Sequence, residues 1–271
     1  MALFNVIVVP LPLQVNEWTA SLYDYIDTLN PDDNVLVCTN LGAGQLAECY
    51  DSCVIVLKHL ASRGCNLVEI STGGPWGGGM TNIPIGLRMW AEAFGVDSVD
   101  QAPEYGESIV FLGYLPGEYG GSSTISFTND IRSIYDKDYF GTPISTFSFM
   151  DDIRNIHDFS LVMGLGASYT GIDVYTTAEW TIPAGWATTA QYTADIAASY
   201  RIGRYTGAII GTHGGAEYEL LLENPGRNML RLSAIFMVCV TLFVLIAASN
   251  IRYVLLPKLT GGSSSETQGG R

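Results

Sequence analysis

The chain contains 271 residues, of which 48% are hydrophobic and 15% are charged, enough for one large α/β domain or two small ones. Acidic residues outnumber basic ones by 27 to 13, and residues 1–226 carry 26 acidic and 8 basic side chains, a net charge of −18. Because nucleic-acid binders need clustered Lys and Arg to displace counterions, we expect neither DNA nor RNA as a partner.

The amino-terminal residues predict no export signal, because Met1–Pro10 has no basic region and its apolar run is short. Without such a signal, we expect the cysteines to be reduced and mostly buried. They are Cys38, Cys49, Cys53, Cys65 and Cys239.

Short runs of Val, Ile and Leu recur along residues 1–226, each followed by a turn and then a helical pattern. The predicted strands are Asn5–Val9, Asn34–Cys38, Asn66–Ser71, Ser108–Gly113, Ser160–Gly164 and Gly207–Gly211. The predicted helices are 16–29, 44–63, 83–95, 122–135, 187–200 and 214–223.

Continuous apolar strands that alternate with helices are typical of a parallel sheet covered on both faces. The sequence therefore predicts a doubly wound, mostly parallel, Rossmann-like α/β sheet. Residues 136–158 and 168–186 do not fit the alternation, and we expect them to form excursions at a sheet edge or a partner surface. In such folds, ligands bind beyond the carboxyl ends of the strands.

A glycine turn follows the predicted strand Asn34–Cys38. Residues 42–47 read G-x-G-x-x-A, with Gly42 and Gly44 in the positions that let a pyrophosphate approach the backbone. Glu69, near the end of the next strand, could accept hydrogen bonds from a ribose. Against a dinucleotide site, the motif follows the second predicted strand rather than the first, and glycine is common at any tight turn.

A second glycine-rich turn, residues 73–79, contains five glycines and follows the predicted strand Asn66–Ser71. It could be a lid over a ligand, a subunit contact or an ordinary loop. It is not a Walker A loop, because no G-K-[ST] sequence follows.

Two titratable residues in later strand-end turns are candidates for proton transfer. Glu118 follows the predicted strand Ser108–Gly113, and His213 stands before the predicted helix 214–223. A structural role for each is the alternative, since neither has a recognisable partner in the sequence. Glu217 and Glu219 fall in the first turn of that predicted helix, where they would complement its dipole.

Several signatures of catalysis are missing from the sequence. It contains no G-x-S-x-G, H-E-x-x-H, C-x-x-C or EF-hand motif, and its three histidines are far apart. We therefore expect no metal site. The i, i+4 pair Cys49 and Cys53 is best explained by packing, and the acids around Asp136 and Asp151 by solvated loops.

Leu232–Ser249 is a run of eighteen residues without a charge, flanked by arginines on both sides. A helix of this length covers about 27 Å, close to the hydrocarbon thickness of a bilayer. We predict an acidic domain at 1–226, a transmembrane helix with basic flanks at 227–258 that contacts lipid through 232–256, and a disordered Gly/Ser-rich tail at 259–271. Bases on both flanks make the positive-inside rule nearly indecisive. Without an export signal, the domain is expected in the cytoplasm, held by a C-terminal anchor in a single-pass topology, and the opposite orientation is the alternative.

Three stretches of the sequence resemble a group of prokaryotic membrane proteins. They are 139–143 (YFGTP), 158–162 (DFSLV) and 214–219 (GGAEYE) leading to Asn224-Pro225-Gly226 and an apolar helix. The resemblance implies a Rossmann-like domain with a transmembrane helix. It implies no activity, because that group has none assigned.

Two classes of function remain open from the sequence. The first is a membrane-anchored, non-catalytic assembly or scaffold subunit that forms a homo-oligomer or binds other membrane proteins and needs no cofactor. The alternative is a membrane-tethered nucleotide-binding enzyme or sensor that uses Gly42, Gly44 and Glu69 for a dinucleotide, with His213 or Glu118 near the reacting group.

Overall fold

A computed structural model describes residues 12–73, 79–116, 121–166 and 182–255. Its six strands form one sheet in the order β3-β2-β1-β4-β5-β6, and every neighbouring pair is parallel. They are β1 (Asn34–Asn40), β2 (Asn66–Thr72), β3 (Ile109–Leu115), β4 (Leu161–Gly166), β5 (Ala184–Thr188) and β6 (Gly207–Ile210). The predicted doubly wound parallel fold is confirmed, while the predicted strand Asn5–Val9 lies outside the described residues.

Helices cover both faces of this sheet. They are α1 (Glu17–Thr28), α2 (Leu46–Ser62), α3 (Gly79–Phe94), α4 (Ser122–Asn129), α5 (Thr193–Arg201) and α6 (Gly211–Leu221), and a seventh helix, α7 (Arg227–Asn250), follows α6 in the chain. Successive strand residues face opposite layers: Val35 and Val37 pack with α1, α2, α3 and α6, whereas Leu36 and Cys38 pack with α4 and α5. The strands are apolar without interruption because both of their faces are buried.

Residues 130–159 fold differently from the prediction. Helix α4 ends at Asn129 rather than at 135, because Asp130 is extended (φ −156°) and its side chain accepts a hydrogen bond from the Arg132 backbone N–H. The chain then forms short 3₁₀ turns, whose apolar side chains are buried against the second face of the sheet. This segment, expected at an edge or a partner surface, therefore covers the sheet as a helix would.

The prediction for residues 184–192 was also wrong, because Ala184–Thr188 is a strand and helix α5 begins only at Thr193. A Cβ atom at position 185 would lie 2.6 Å from Leu22 Cδ1 of α1 and 3.0 Å from Met163 Sδ of β4, so a larger residue would force these two side chains to move. The sequence of the strand, AGWAT, lacks the β-branched run that marks the other strands.

The C-terminal helix is long and apolar enough to span a membrane. Within the helical stretch Arg227–Tyr253, an 18-residue window has a mean hydropathy of 2.6 with 6% of it buried, and this is the one such helix within the described ranges. Its first residues, up to Met229, belong to the compact unit Pro12–Met229. The predicted transmembrane segment is thus a helix whose length and composition suit a membrane span.

A buried carboxylate caps the start of this helix. Glu219 is 2% exposed and accepts hydrogen bonds from the backbone N–H groups of Gly226 (2.8 Å), Asn228 (2.9 Å) and Met229 (2.9 Å), and from Asn228 Nδ2 (2.9 Å). Free N–H groups at a helix N-terminus need acceptors and favour negative charge. Glu219 was predicted in the first turn of its own helix, but α6 begins at Gly211, so Glu219 lies near its end and serves α7 instead.

We expect Glu219→Gln to lower the free energy of unfolding by ~2 kcal/mol. The NH₂ group of Gln would replace one of the two carboxylate oxygens, and it could not accept the hydrogen bonds that backbone N–H groups now donate to that oxygen. In a domain of this size, the melting temperature in detergent should fall by roughly 4–8 °C. The control is Glu223→Gln, an exposed position in the same connection. Equal melting temperatures for the two variants would show that the cap contributes little.

Candidate functional site

The strand order reverses between β1 and β4, which are neighbours at the centre of the sheet. Gly166 ends β4 with φ +135°, and a Cβ atom there would overlap the carbonyl oxygen of Asn40, the last residue of β1. The two strand ends therefore meet closely. This reversal creates the crevice in which open α/β sheets bind ligands.

The G-x-G-x-x-A turn leaves β1 at this crevice. β1 is the first described strand, so in the described sheet the motif follows the strand that a dinucleotide fold requires. Gly42 has an ordinary extended conformation (φ −83°, ψ 164°), and a 3₁₀ turn at Ala43–Gln45 leads into α2. A Cβ atom at Gly44 would meet nothing within 4 Å, so there is open space beside the N-terminus of α2.

Polar groups are buried on the β2 side of the crevice. Asn82 of α3 donates from Nδ2 to Asn40 Oδ1 (3.1 Å) and to the Thr72 carbonyl (3.2 Å). Asn82 Oδ1 and Thr72 Oγ1 have no hydrogen-bond partner among the described residues, although both side chains are at most 3% exposed. Buried polar atoms are normally paired, so these two atoms suit a polar ligand or water.

Two further hydroxyl groups are buried at the end of β5. Thr188 and Thr189 are at most 3% exposed, and neither Oγ1 atom is paired within the described part of the chain. The following residue, Ala190, donates its backbone N–H to Glu48 Oε1 in the first turn of α2 (2.6 Å). Hydroxyl and amide groups thus line the carboxyl edge, the edge of the sheet at which the strands end, on both sides of the point where the strand order reverses.

Glu69 lies inside the sheet rather than at its edge. It pairs in register with Val37 of β1, is fully buried, and faces Gly86 of α3, where a Cβ atom would lie 2.9 Å from its Oε1. Burial raises its pKa well above the usual value, and the nearby Thr39 hydroxyl opposes this shift, although neither carboxyl oxygen makes a hydrogen bond with the described residues. The ribose role of Glu69 stays a prediction, but three residues separate it from the end of β2.

His213 has a partner that was not predicted. Because α6 starts at Gly211 (φ +59°), His213 and Glu217 stand one turn apart, with His213 Nδ1 2.9 Å from Glu217 Oε1. Glu217 is fully buried and also accepts hydrogen bonds from Thr19 Oγ1 (2.6 Å) and from Asn16 Nδ2. The i, i+4 spacing was visible in the sequence, but Glu217 was assigned only to the helix dipole.

The remaining sequence predictions concern Glu118, a metal site and the acids around Asp136. Glu118 lies outside the described residues. Within residues 12–73, 79–116, 121–166 and 182–255, no group of three or more His, Cys, Asp or Glu side chains could hold a metal ion. Asp138 is buried and accepts hydrogen bonds from the Tyr105 hydroxyl (2.8 Å) and the Thr142 N–H (2.7 Å), so it organises its own turn.

An open cleft of about 430 Å³ lies away from the carboxyl edge, beside α2 and the connection between α6 and α7. Arg227 in this cleft pairs with Glu92 (2.6 Å) and Asp51 (3.3 Å), which neutralises its charge. The polar groups of the cleft therefore serve mainly to hold the first turn of α7.

No protein-family model matches the chain, and neither does any curated protein or solved structure. Function therefore has to be inferred from the geometry of the carboxyl edge.

We expect Glu69→Gln to raise stability at neutral pH. The pKa of Glu69 is raised in the folded state, so the unfolded chain loses this proton first as pH rises, and stability falls by up to about 1.4 kcal/mol per pH unit between the two pKa values. The stability gained by replacing Glu69 with Gln should therefore be absent near pH 4.3, about the pKa of an unfolded glutamate, and should grow as the pH rises above that value. Melting temperatures of both proteins across pH test this, and a pH-independent difference would contradict a neutral Glu69.

Proposed function

We propose that the chain is a membrane-anchored nucleotide-binding protein, a sensor or an enzyme, whose ligand binds in the crevice between β1 and β4. The observation that carries this proposal is that the glycine turn, the start of α2 and the reversal of strand order coincide. Backbone N–H groups at a helix N-terminus bind phosphate groups without basic side chains. Open space at Gly44 supports close approach of a ligand to that backbone.

The composition of the edge favours a dinucleotide over a nucleoside triphosphate. Residues 40–48, 188–193 and 211–214, which follow β1, β5 and β6, contain no Lys or Arg. A triphosphate normally needs a lysine or a metal ion, whereas a pyrophosphate diester carries less charge and relies on backbone N–H groups. Asn82, Thr72 and the two threonines after β5 would supply hydrogen bonds to hydroxyl or amide groups of the ligand.

The apolar helix α7 supports attachment to a membrane, and we propose that the acidic domain lies on the cytoplasmic side. Arg231 precedes the apolar run, where it would contact the anionic headgroups of the cytoplasmic leaflet, whereas Arg227 is held by Glu92 and Asp51. An acidic domain on that side would be kept near the membrane despite its repulsion from anionic lipid. We therefore place the nucleotide site in the cytoplasm.

We expect an oxidised or reduced nicotinamide dinucleotide or a flavin dinucleotide to raise the melting temperature of the full-length protein in detergent. Ligand at about 100 times its Kd contributes roughly 2.7 kcal/mol. Gly44→Val should abolish the shift, because its side chain would occupy the open space, without lowering the melting temperature of the free protein. The control is Ala43→Val, an exposed neighbour. No shift with any common nucleotide would refute the proposal.

A second candidate function, assembly, is favoured by an exposed aromatic pair beside the edge strand β3. Tyr139 and Phe140 are 46% and 39% exposed, and their rings contact each other edge to face. The Tyr139 N–H donates to the Phe111 carbonyl (2.8 Å), which fixes the pair against β3. Rigid exposed aromatic groups are enriched in protein interfaces. A homo-oligomer or a contact with another membrane protein could use this surface.

If the pair forms a homo-oligomer contact, native mass spectrometry of the detergent-extracted protein should show an oligomer that Phe140→Ser dissociates. Ile202→Ser is the control, because Ile202 is 78% exposed but lies after α5, near the opposite end of the sheet. A monomer at micromolar concentration, or an oligomer unaffected by Phe140→Ser, would contradict a role of this pair in self-assembly.

A further inference from the structure

The hydrogen bonds around Glu217 determine how the ring of His213 is protonated. Asn16 Nδ2 is a donor, and the Thr19 hydroxyl donates to Glu217 Oε2, so the buried carboxylate acts as an acceptor throughout. His213 Nδ1, at 2.9 Å, must therefore donate its proton to Oε1. The neutral ring then carries its lone pair on Nε2.

The position of the ring makes that lone pair accessible. The His213 side chain is 53% exposed, whereas Glu217 is fully buried, and Nε2 makes no hydrogen bond with the described residues. The ring stands in the first turn of α6, at the carboxyl end of β6, on the edge where the strands present their ligand-binding turns. The Thr212 hydroxyl beside it bonds to the Glu48 carbonyl in α2 (3.3 Å).

We infer that His213 and Glu217 form a proton-transfer site, in which Nε2 of His213 takes the proton of a water molecule or of a ligand hydroxyl group at the carboxyl edge. The O–H bond breaks with its electron pair left on oxygen, and a new N–H bond forms at Nε2. The Nδ1 proton stays where it is, and the negative charge of Glu217 compensates the imidazolium. His213 is the base and Glu217 is the positioning residue, an arrangement that suits general-base catalysis.

The site does not depend on nucleotide binding. Its parts are α1, which supplies Asn16 and Thr19, and α6, so it lies at the β6 end of the sheet, whereas the crevice lies between β1 and β4. A purely structural link between α1 and α6 would be satisfied by the Asn16 and Thr19 hydrogen bonds. The half-exposed imidazole adds a reactive group to that link.

The protonation state is tested by ¹⁵N spectra of the full-length protein in detergent, labelled at its three histidines. At alkaline pH, where the ring is neutral, we expect the proton of His213 on Nδ1, with His213→Gln used to assign the signal. A proton on Nε2 in the wild-type protein would overturn the inference. This measurement needs neither a known substrate nor a variant of the buried Glu217.

Reactivity is tested with diethyl pyrocarbonate, which acylates imidazole nitrogen, by following each histidine with mass spectrometry. We expect His213 to react several-fold faster than His157, an exposed histidine on a 3₁₀ turn. Glu217→Gln should keep an acceptor for Nδ1 but remove the charge, and so slow acylation of His213 while that of His157 stays constant. Equal rates for the two histidines, or an unchanged rate in a folded Glu217→Gln protein, would refute activation by Glu217.

Discussion

The parallel direction of all six strands is the constraint on which the rest of the structure depends. It requires a crossover after every strand, so both faces must be covered and both must be apolar. It also collects all the carboxyl ends, and the helix starts that follow them, on one edge. Gly44 after β1, Asn82 after β2 and His213 after β6 are far apart in the sequence, yet they share this edge because of strand direction alone. The chemistry of the protein is consequently concentrated where backbone N–H groups are least satisfied.

Three fully or nearly fully buried glutamates show how an acidic chain accommodates acids in its interior. Glu69 has one hydroxyl nearby and an apolar surrounding, and burial raises its pKa, which favours the neutral form. Glu217 is surrounded by side-chain donors, and Glu219 by the backbone N–H groups at the start of α7. These are different solutions to the same desolvation cost. Glu69 allows β2 to pack against α3. Glu217 accepts a hydrogen bond from His213 and so defines the tautomer of its ring. Glu219 caps the first turn of α7 within the compact unit.

The fold was predictable to the extent that its strands follow the common pattern. Apolar runs such as Asn34–Cys38 and Gly207–Gly211 were located within one or two residues of their true ends, because burial on both faces demands Val, Ile and Leu. β5 was missed because it is rich in small residues, and the side chains that pack over Gly185, those of Leu22 and Met163, are distant in the sequence. At the site, the glycine turn was found from its spacing. The partnership of His213 with Glu217 was not, because it depends on where α6 begins, and Gly211 with its positive φ extends that helix by almost a turn.

The two proposed functions use different surfaces, so they do not exclude each other. The crevice lies at the centre of the carboxyl edge, while Tyr139 and Phe140 flank the edge strand β3, separated from β1 by β2. A backbone contact between Tyr139 and Phe111 joins the aromatic pair directly to β3, the outermost strand of the half-sheet that would hold one end of a dinucleotide. A ligand bound beside the turn after β1 would therefore act on the same half of the sheet that presents the aromatic pair. The contact between β3 and the aromatic pair therefore offers a physical route from ligand binding in the crevice to assembly at Tyr139 and Phe140. For a protein with few charges and a helix suited to membrane attachment, this route favours a sensor over an enzyme as the function of the crevice.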